Sequence, residues 1–134
     1  PFKRAGKWEG TMQVLSAEQE FLGEAHVTID YRPLDLLRAE VVLRATGAIS
    51  LEATYVRSRN GYHHTYQGPD LYGNGMAYGR ALYTTQHFVD SATRIEGREF
   101  ILDDDWTMSQ VWRIHQHGRT THTVFGTFTW VPGE

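Results

Sequence analysis

The sequence predicts an all-β fold: an antiparallel up-and-down barrel of about eight to ten strands, closed on itself. Three observations carry that expectation. Seven Tyr, six Phe and four Trp accompany thirteen Gly in 134 residues, the composition of short aromatic strands broken by turns. Period-2 alternation recurs along the chain, whereas no segment of ordinary helix length shows a 3.6-residue period. Turn signals join consecutive alternating runs through short connections, so the strands form a meander, and a long meander removes its edges best by closing.

Length and charge narrow the class further. A chain of 134 residues is expected to form one domain, 1–134, with a core of its own. There is no cysteine, so disulfides, a thiol nucleophile and thiolate metal sites are excluded, which fits a reducing, cytoplasmic setting. Thirteen basic and sixteen acidic residues are interspersed, which argues against a nucleic-acid surface. No run approaches the roughly 18 apolar residues of a membrane span, and PFKRAGKWEG has no apolar core of a signal peptide.

In chain order, Lys7 to Leu15 places Trp8, Met12 and Val14 at even spacing and reads as the first strand. Phe21 to Arg32 sets Ala25, Val27, Ile29 and Tyr31 against His26, Thr28, Asp30 and Arg32, a two-faced strand ended by Pro33. Taking Thr46-Gly47-Ala48 as a loop pairs Ala45 with Ile49, Leu43 with Leu51 and Val41 with Ala53. Taking Asn60-Gly61 as a two-residue turn pairs Arg57 with His64 and Tyr55 with Tyr66, on the face of Leu51 and Leu43.

Gln67 to Gly79, rich in Gly, reads as a loop or lid interrupting the sheet. Arg80 to Val89 resumes as a strand with Leu82, Thr84, Gln86 and Phe88 on one side and Tyr83, Thr85 and His87 on the other; either side suits a wet cavity. Asp90 to Gly97 reads as a connection. Across Asp103-Asp104-Asp105, Leu102 faces Trp106 and Phe100 faces Met108. Across Gly118-Arg119, His115 faces His122 and Trp112 faces Phe125, with a bulge expected at Gly126 to turn Phe128 and Trp130 inward.

Gly6-Lys7-Trp8-Glu9-Gly10, followed by a run of hairpins that ends in Thr127-Phe128-Thr129-Trp130, resembles the Gly-x-Trp opening and layout of the calycin superfamily. These are the lipocalin-like barrels, which include lipocalins, fatty-acid-binding proteins, nitrobindins and phycobiliprotein lyases. The resemblance covers nearly the whole chain and implies an interior cavity for a small, largely apolar molecule. Nitrobindins bind haem through a late-strand histidine, in a region comparable to His122. The pairing above sets His122 on the face away from Trp112 and Phe125, so neither haem nor any other cofactor is expected.

His115, His117 and His122 have the spacing of a three-imidazole zinc site, but the expected inward face of Trp106, Met108, Trp112 and Ile114 leaves them outward at a hairpin tip. No metal is expected. The three aspartates satisfy a hairpin loop as readily as a calcium ion, and the Gly-rich stretch lacks the Lys-Ser/Thr signature of a phosphate loop. What remains is an interior set. Tyr55, Tyr66, Tyr83, Trp106, Trp112 and Phe125 are expected to bind a small hydrophobic or aromatic ligand, and His64, His87, Tyr66 and Arg57 to supply polar groups. The leading expectation is binding in the barrel interior. The alternative is a cofactor-independent isomerase, cyclase or hydratase in which His64, His87, Tyr66 and Arg57 act as acid–base residues.

Overall fold

The computed structural model describes residues 5–89 and 91–131. Ten antiparallel strands follow one another around a closed barrel: Gly6–Ser16 (β1), Phe21–Pro33 (β2), Arg38–Gly47 (β3), Leu51–Asn60 (β4), His63–Gln67 (β5), Leu71–Tyr78 (β6), Ala81–Phe88 (β7), Thr93–Ile101 (β8), Thr107–Gln116 (β9) and Arg119–Val131 (β10). Each strand pairs with its sequence neighbours, and β1 closes the ring on β10 from Lys7↔Val131 to Ser16↔His122. The start of β1, the end of β10 and the β2–β3, β4–β5, β6–β7 and β8–β9 turns gather at one end, here the lower. The other turns form the upper end.

The alternation read in β1 and β2 survives intact. Trp8, Met12, Val14, Ala25, Val27 and Ile29 are buried, and with Val41, Met108, Val124 and Phe128 they fill the side of the barrel spanned by β10, β1, β2 and β3. Outward positions carry ion pairs instead, Arg32–Glu40 at 3.0 Å and Arg44–Glu52 at 3.2 Å across neighbouring strands. Apolar positions thus face in and charged ones out. No helix among the described residues is long and apolar enough to cross a membrane.

Hairpin registers differ from the sequence expectations, and the size of each slip decides its consequence. Between β3 and β4, Ala45 pairs with Leu51 and Leu43 with Ala53, because β3 stays paired with β2 as far as Gly47 and the Ala48 N–H bonds Glu24 O at 3.0 Å. Between β4 and β5, Asn60 pairs with His63 and Arg57 with Tyr66. The turn centres on Gly61-Tyr62, with Gly61 at φ 63°, and a glycine at the first central position suits that geometry. Both slips are two residues, so every side chain keeps its face.

Two other slips are odd and do reverse faces. At β8–β9, Ile101 pairs with Met108 and Phe100 with Ser109; Asp104 Oδ1 accepts the Trp106 and Thr107 N–H groups at 2.9 and 3.0 Å, which lengthens the loop. Ile101 and Met108 are therefore buried and Phe100 is exposed, while Trp106 is exposed because it falls in the lengthened loop ahead of β9. At β9–β10 the turn is His117-Gly118, both with positive φ, and a bulge between Thr120 and His122 then sets Val124, not Phe125, opposite Trp112. The parity change expected at Gly126 occurs here instead.

The stretch expected to be a lid is strand β6, hydrogen-bonded on both sides. Its glycines follow from packing: a Cβ on Gly75 would lie 2.8 Å from both Tyr66 Oη and the Tyr83 carbonyl. Thr93–Gly97, expected in a connection, belongs to β8; Asp90 lies outside the described residues.

Candidate functional site

The two sides of the barrel interior are filled unequally. On the β1–β2–β10 side, Trp8, Met12 and Phe128 reach the centre and are fully buried. On the opposite side, β6 offers Gly73, Gly75 and Ala77 at its inward positions and β8 offers Gly97. A cavity of about 50 Å³ lies in the core, bordered by Gly97 and by side chains from β2 to β5 and β7 to β9. Its apolar wall includes Leu43, Leu51, Phe88 and Ile95, and Tyr55 meets Tyr66 edge-on with ring centroids 5.6 Å apart. Leu51 and Ile95 also border a recess at the upper end with Ile49, Ile114 and His122, which makes that end the mouth.

Polar groups line the same cavity. Arg57 is only 2% exposed, and its Nε donates to His64 Nδ1 at 2.9 Å. That bond leaves His64 an acceptor at Nδ1, so its ring proton sits on Nε2. The Arg57 guanidinium carbon lies 5.8 Å from the centroid of the Tyr31 ring. Tyr31 Oη donates to Glu99 Oε1 at 3.4 Å, Gln110 Nε2 to the same oxygen at 2.9 Å, and Trp112 Nε1 to Gln110 Oε1 at 2.6 Å. A hydrogen-bonded chain from Trp112 through Gln110 therefore orients Glu99, which is 7% exposed.

Burial is the largest single influence on Arg57 and opposes its charge, but the combined field of Tyr66, Tyr31, Glu99 and Tyr55 outweighs it and raises the guanidinium pKa. Arg57 is a fixed buried cation. Burial likewise pushes the Tyr55 phenol up, against a hydrogen bond with Gln86 that works the other way. Tyr55 is thus a neutral hydroxyl at neutral pH.

The sequence-predicted residues divide cleanly. Tyr55, Tyr66, Trp112 and Arg57 line the cavity. His64 is buried behind Arg57, outside the cavity wall. His87 points outward and stacks on Tyr72 with ring centroids 5.0 Å apart. Tyr83, Phe125 and Trp106 are also outside the cavity, at 46%, 40% and 56% exposure, and Trp106 packs on Trp130 at the lower end. No histidine is among the residues lining the cavity. The three late histidines do not converge either: His122 shares the inner face with Ile114 near the mouth, while His115 Nε2 sits outside, 3.3 Å from Glu96 Oε1.

Glu99, Gln110, Tyr31 and Thr84 are lining residues that the sequence-predicted site lacked, and of His87 or Gln86, the two interior alternatives on β7, it is Gln86 that lines the cavity. Gln110 was legible: it falls between Met108 and Trp112 on an alternating inward face, and a polar residue there is an anomaly that calls for a partner. Glu99 was hidden by the odd slip at β8–β9, which turned Phe100 inward in its place.

The sequence matches no protein-family model and no curated protein. Solved structures do resemble it. A protein of unknown function from the DUF3598 family of Nostoc punctiforme superposes with a TM-score of 0.80 at 13% identity, over 96% of this chain and 48% of that one. This chain thus spans about half the length of that protein. The S-type phycobiliprotein lyase CPES from Guillardia theta gives 0.69 at 9% identity, over 98% and 90% of the two chains. The fold is that of the lipocalin-like, calycin barrels. EF1p2_mFAP2b, solved bound to DFHBI, gives 0.57 at 11% identity, over 96% and 94%. At such identities the likeness is one of fold.

Proposed function

We propose that this barrel binds a small, flat, largely apolar molecule in its interior, with the ligand's polar edge toward Arg57 and Glu99 and its passage through the upper end. The observation that carries this is the cavity left in the core, walled by Tyr55, Tyr66 and Trp112 and equipped with oriented polar groups. Aromatic walls with a few fixed polar groups are what small-molecule recognition needs. That a barrel of the same fold is solved bound to DFHBI supports the reading. The closed volume of about 50 Å³ is well below the roughly 300 Å³ of pockets for drug-sized ligands. Binding therefore includes an outward shift of the partly exposed Leu51 and Phe88 at the mouth.

The cavity wall carries no histidine, so binding is favoured here over histidine acid–base catalysis. The test is fluorescence titration with N-phenyl-1-naphthylamine, an apolar probe that brightens on burial. Thr84 lines the cavity and Thr85, its neighbour, faces the outer surface. T84W fills the interior and should weaken the probe's affinity at least about tenfold, a loss of about 1.4 kcal/mol, whereas T85W should leave it unchanged. Equal behaviour of the two variants, or no saturable binding to the wild type, refutes an interior site.

A further inference from the structure

The outer surface of the barrel differs from one side to the other. Across β2, β3 and β4, outward arginines are paired with carboxylates on the next strand, Arg32 with Glu40 and Arg44 with Glu52. Across β6 to β10, one register row runs Met76, Tyr83, Arg98, Val111 and Phe125, each beside the next, and its four apolar members are exposed. The row above it, towards the upper end, runs Thr85, Glu96, Arg113 and Thr123. A groove of about 640 Å³ lies along the two rows, within the range of about 300–1,000 Å³ that small-molecule sites occupy.

Two cations border this groove without a counter-ion. Arg98 lies over the Tyr83 ring, 5.7 Å from its centroid. Glu96, the cross-strand neighbour of Arg113, is engaged instead by Arg94 at 3.1 Å and by His115 Nε2 at 3.3 Å. Neither Arg98 nor Arg113 forms an ion pair among the described residues. Arg98 faces Val111 across the strands, and Arg113 follows Val111 by two positions on the same face. Such diagonal neighbours stand about 7–8 Å apart, so two long guanidinium side chains can close on one anion. In a chain of formal charge -3, this is a local reversal of sign beside an apolar wall, and it draws anions.

We infer that the outer groove is a second ligand site, separate from the interior, and that it takes an organic anion: a sulfonate, phosphate or carboxylate carried on an apolar body. Arg98 and Arg113 hold the anionic group. Tyr83, Met76 and Val111 cover the body, with the Tyr83 ring already held by Arg98.

Two fluorescent probes that differ by one group test it, since 8-anilinonaphthalene-1-sulfonate is N-phenyl-1-naphthylamine with a sulfonate added. The sulfonate probe should bind the wild type saturably, and R98Q/R113Q should raise its Kd at least about tenfold. R44Q/R119Q, which removes the same charge away from the groove, should leave it within about twofold. V111E sets a carboxylate between the two arginines at an exposed position and should weaken the sulfonate probe as R98Q/R113Q does. T84W, which fills the interior, should leave the sulfonate probe bound, and the neutral probe should not respond to R98Q/R113Q. No saturable binding of the sulfonate probe to the wild type, its loss in T84W, an equal loss in R44Q/R119Q, or unchanged binding in the groove variants overturns the inference. None of these results bears on the interior reading, which stands or falls with the neutral probe. Should R98Q/R113Q not fold by circular dichroism, V111E decides.

Discussion

Replacing Arg57 by methionine keeps the length of the side chain and removes its charge, and the structure sets the size of the effect. Glu99, 7% exposed, would keep its bonds from Gln110 at 2.9 Å and from Tyr31 at 3.4 Å but lose the cation that shares its cavity. His64 would lose the donor to Nδ1. Removing one partner from a buried hydrogen-bonded network typically costs about 1–3 kcal/mol, because the groups it served are left unsatisfied. That is a large share of the roughly 5–15 kcal/mol that holds a domain together. R57M should therefore unfold at clearly lower urea concentration, followed by far-UV circular dichroism and tryptophan fluorescence. Arg57 and Glu99 act on each other electrostatically, so E99Q should cost less in the R57M background than in the wild type, with a coupling of about 0.5–3 kcal/mol. Losses that simply add would refute the coupling between the two groups.

Other expectations follow from individual contacts. The folded-state pKa of Tyr55 lies above the ordinary phenol value, so its contribution to stability is complete below about pH 10 and is lost as pH rises through the shifted value; in alkaline unfolding, Y55F should show a flatter loss than the wild type. A Cβ on Gly75 would press on the Tyr83 carbonyl and Tyr66 Oη. G75A should cost about 1–3 kcal/mol and reduce probe binding, both measurable on one sample by urea titration and fluorescence. The bulge in β10 predicts opposite fates for neighbours: V124A, at a fully buried position, should cost about 1–3 kcal/mol, and F125S less than about 0.5 kcal/mol. The reverse order would place the bulge elsewhere.

The fold was legible because alternation and turn chemistry are local. Trp8, Met12 and Val14, then Ala25 to Tyr31, show their inner faces without knowledge of their partners. The site was legible only where register slips were even. Arg57, Tyr55 and Tyr66 stayed on the inner face through a two-residue error, whereas single-residue shifts moved Phe100 and Phe125 out and Glu99 and His122 in, and Trp106 fell in the loop ahead of β9. Those shifts come from the Asp104 loop bonds and from one unpaired residue in β10. Neither leaves a periodic trace, since a bulge is fixed by what the whole ring must close on and not by its own composition. The β6 glycines misled for a related reason: read locally they signal a turn, while in the barrel Gly75 makes room for Tyr66 and Gly73 for the β7 backbone at Thr85.

The seam between β1 and β10 has a consequence for how the chain is made. Trp8 pairs with Trp130, and the Trp130 indole donates to Ala5 O across a separation of 125 residues at 3.0 Å. Every other pairing joins consecutive strands, so an emerging polypeptide can add hairpin to hairpin on the ribosome as each leaves the tunnel. The last strand must be synthesised before the first has its second partner. Until then β1 remains an unpaired edge, with its inward row of Trp8, Met12 and Val14 open to whatever strand arrives. Synthesis time thus sets a window in which this edge is available to chaperones or to wrong partners, and closure of the seam ends it in one step.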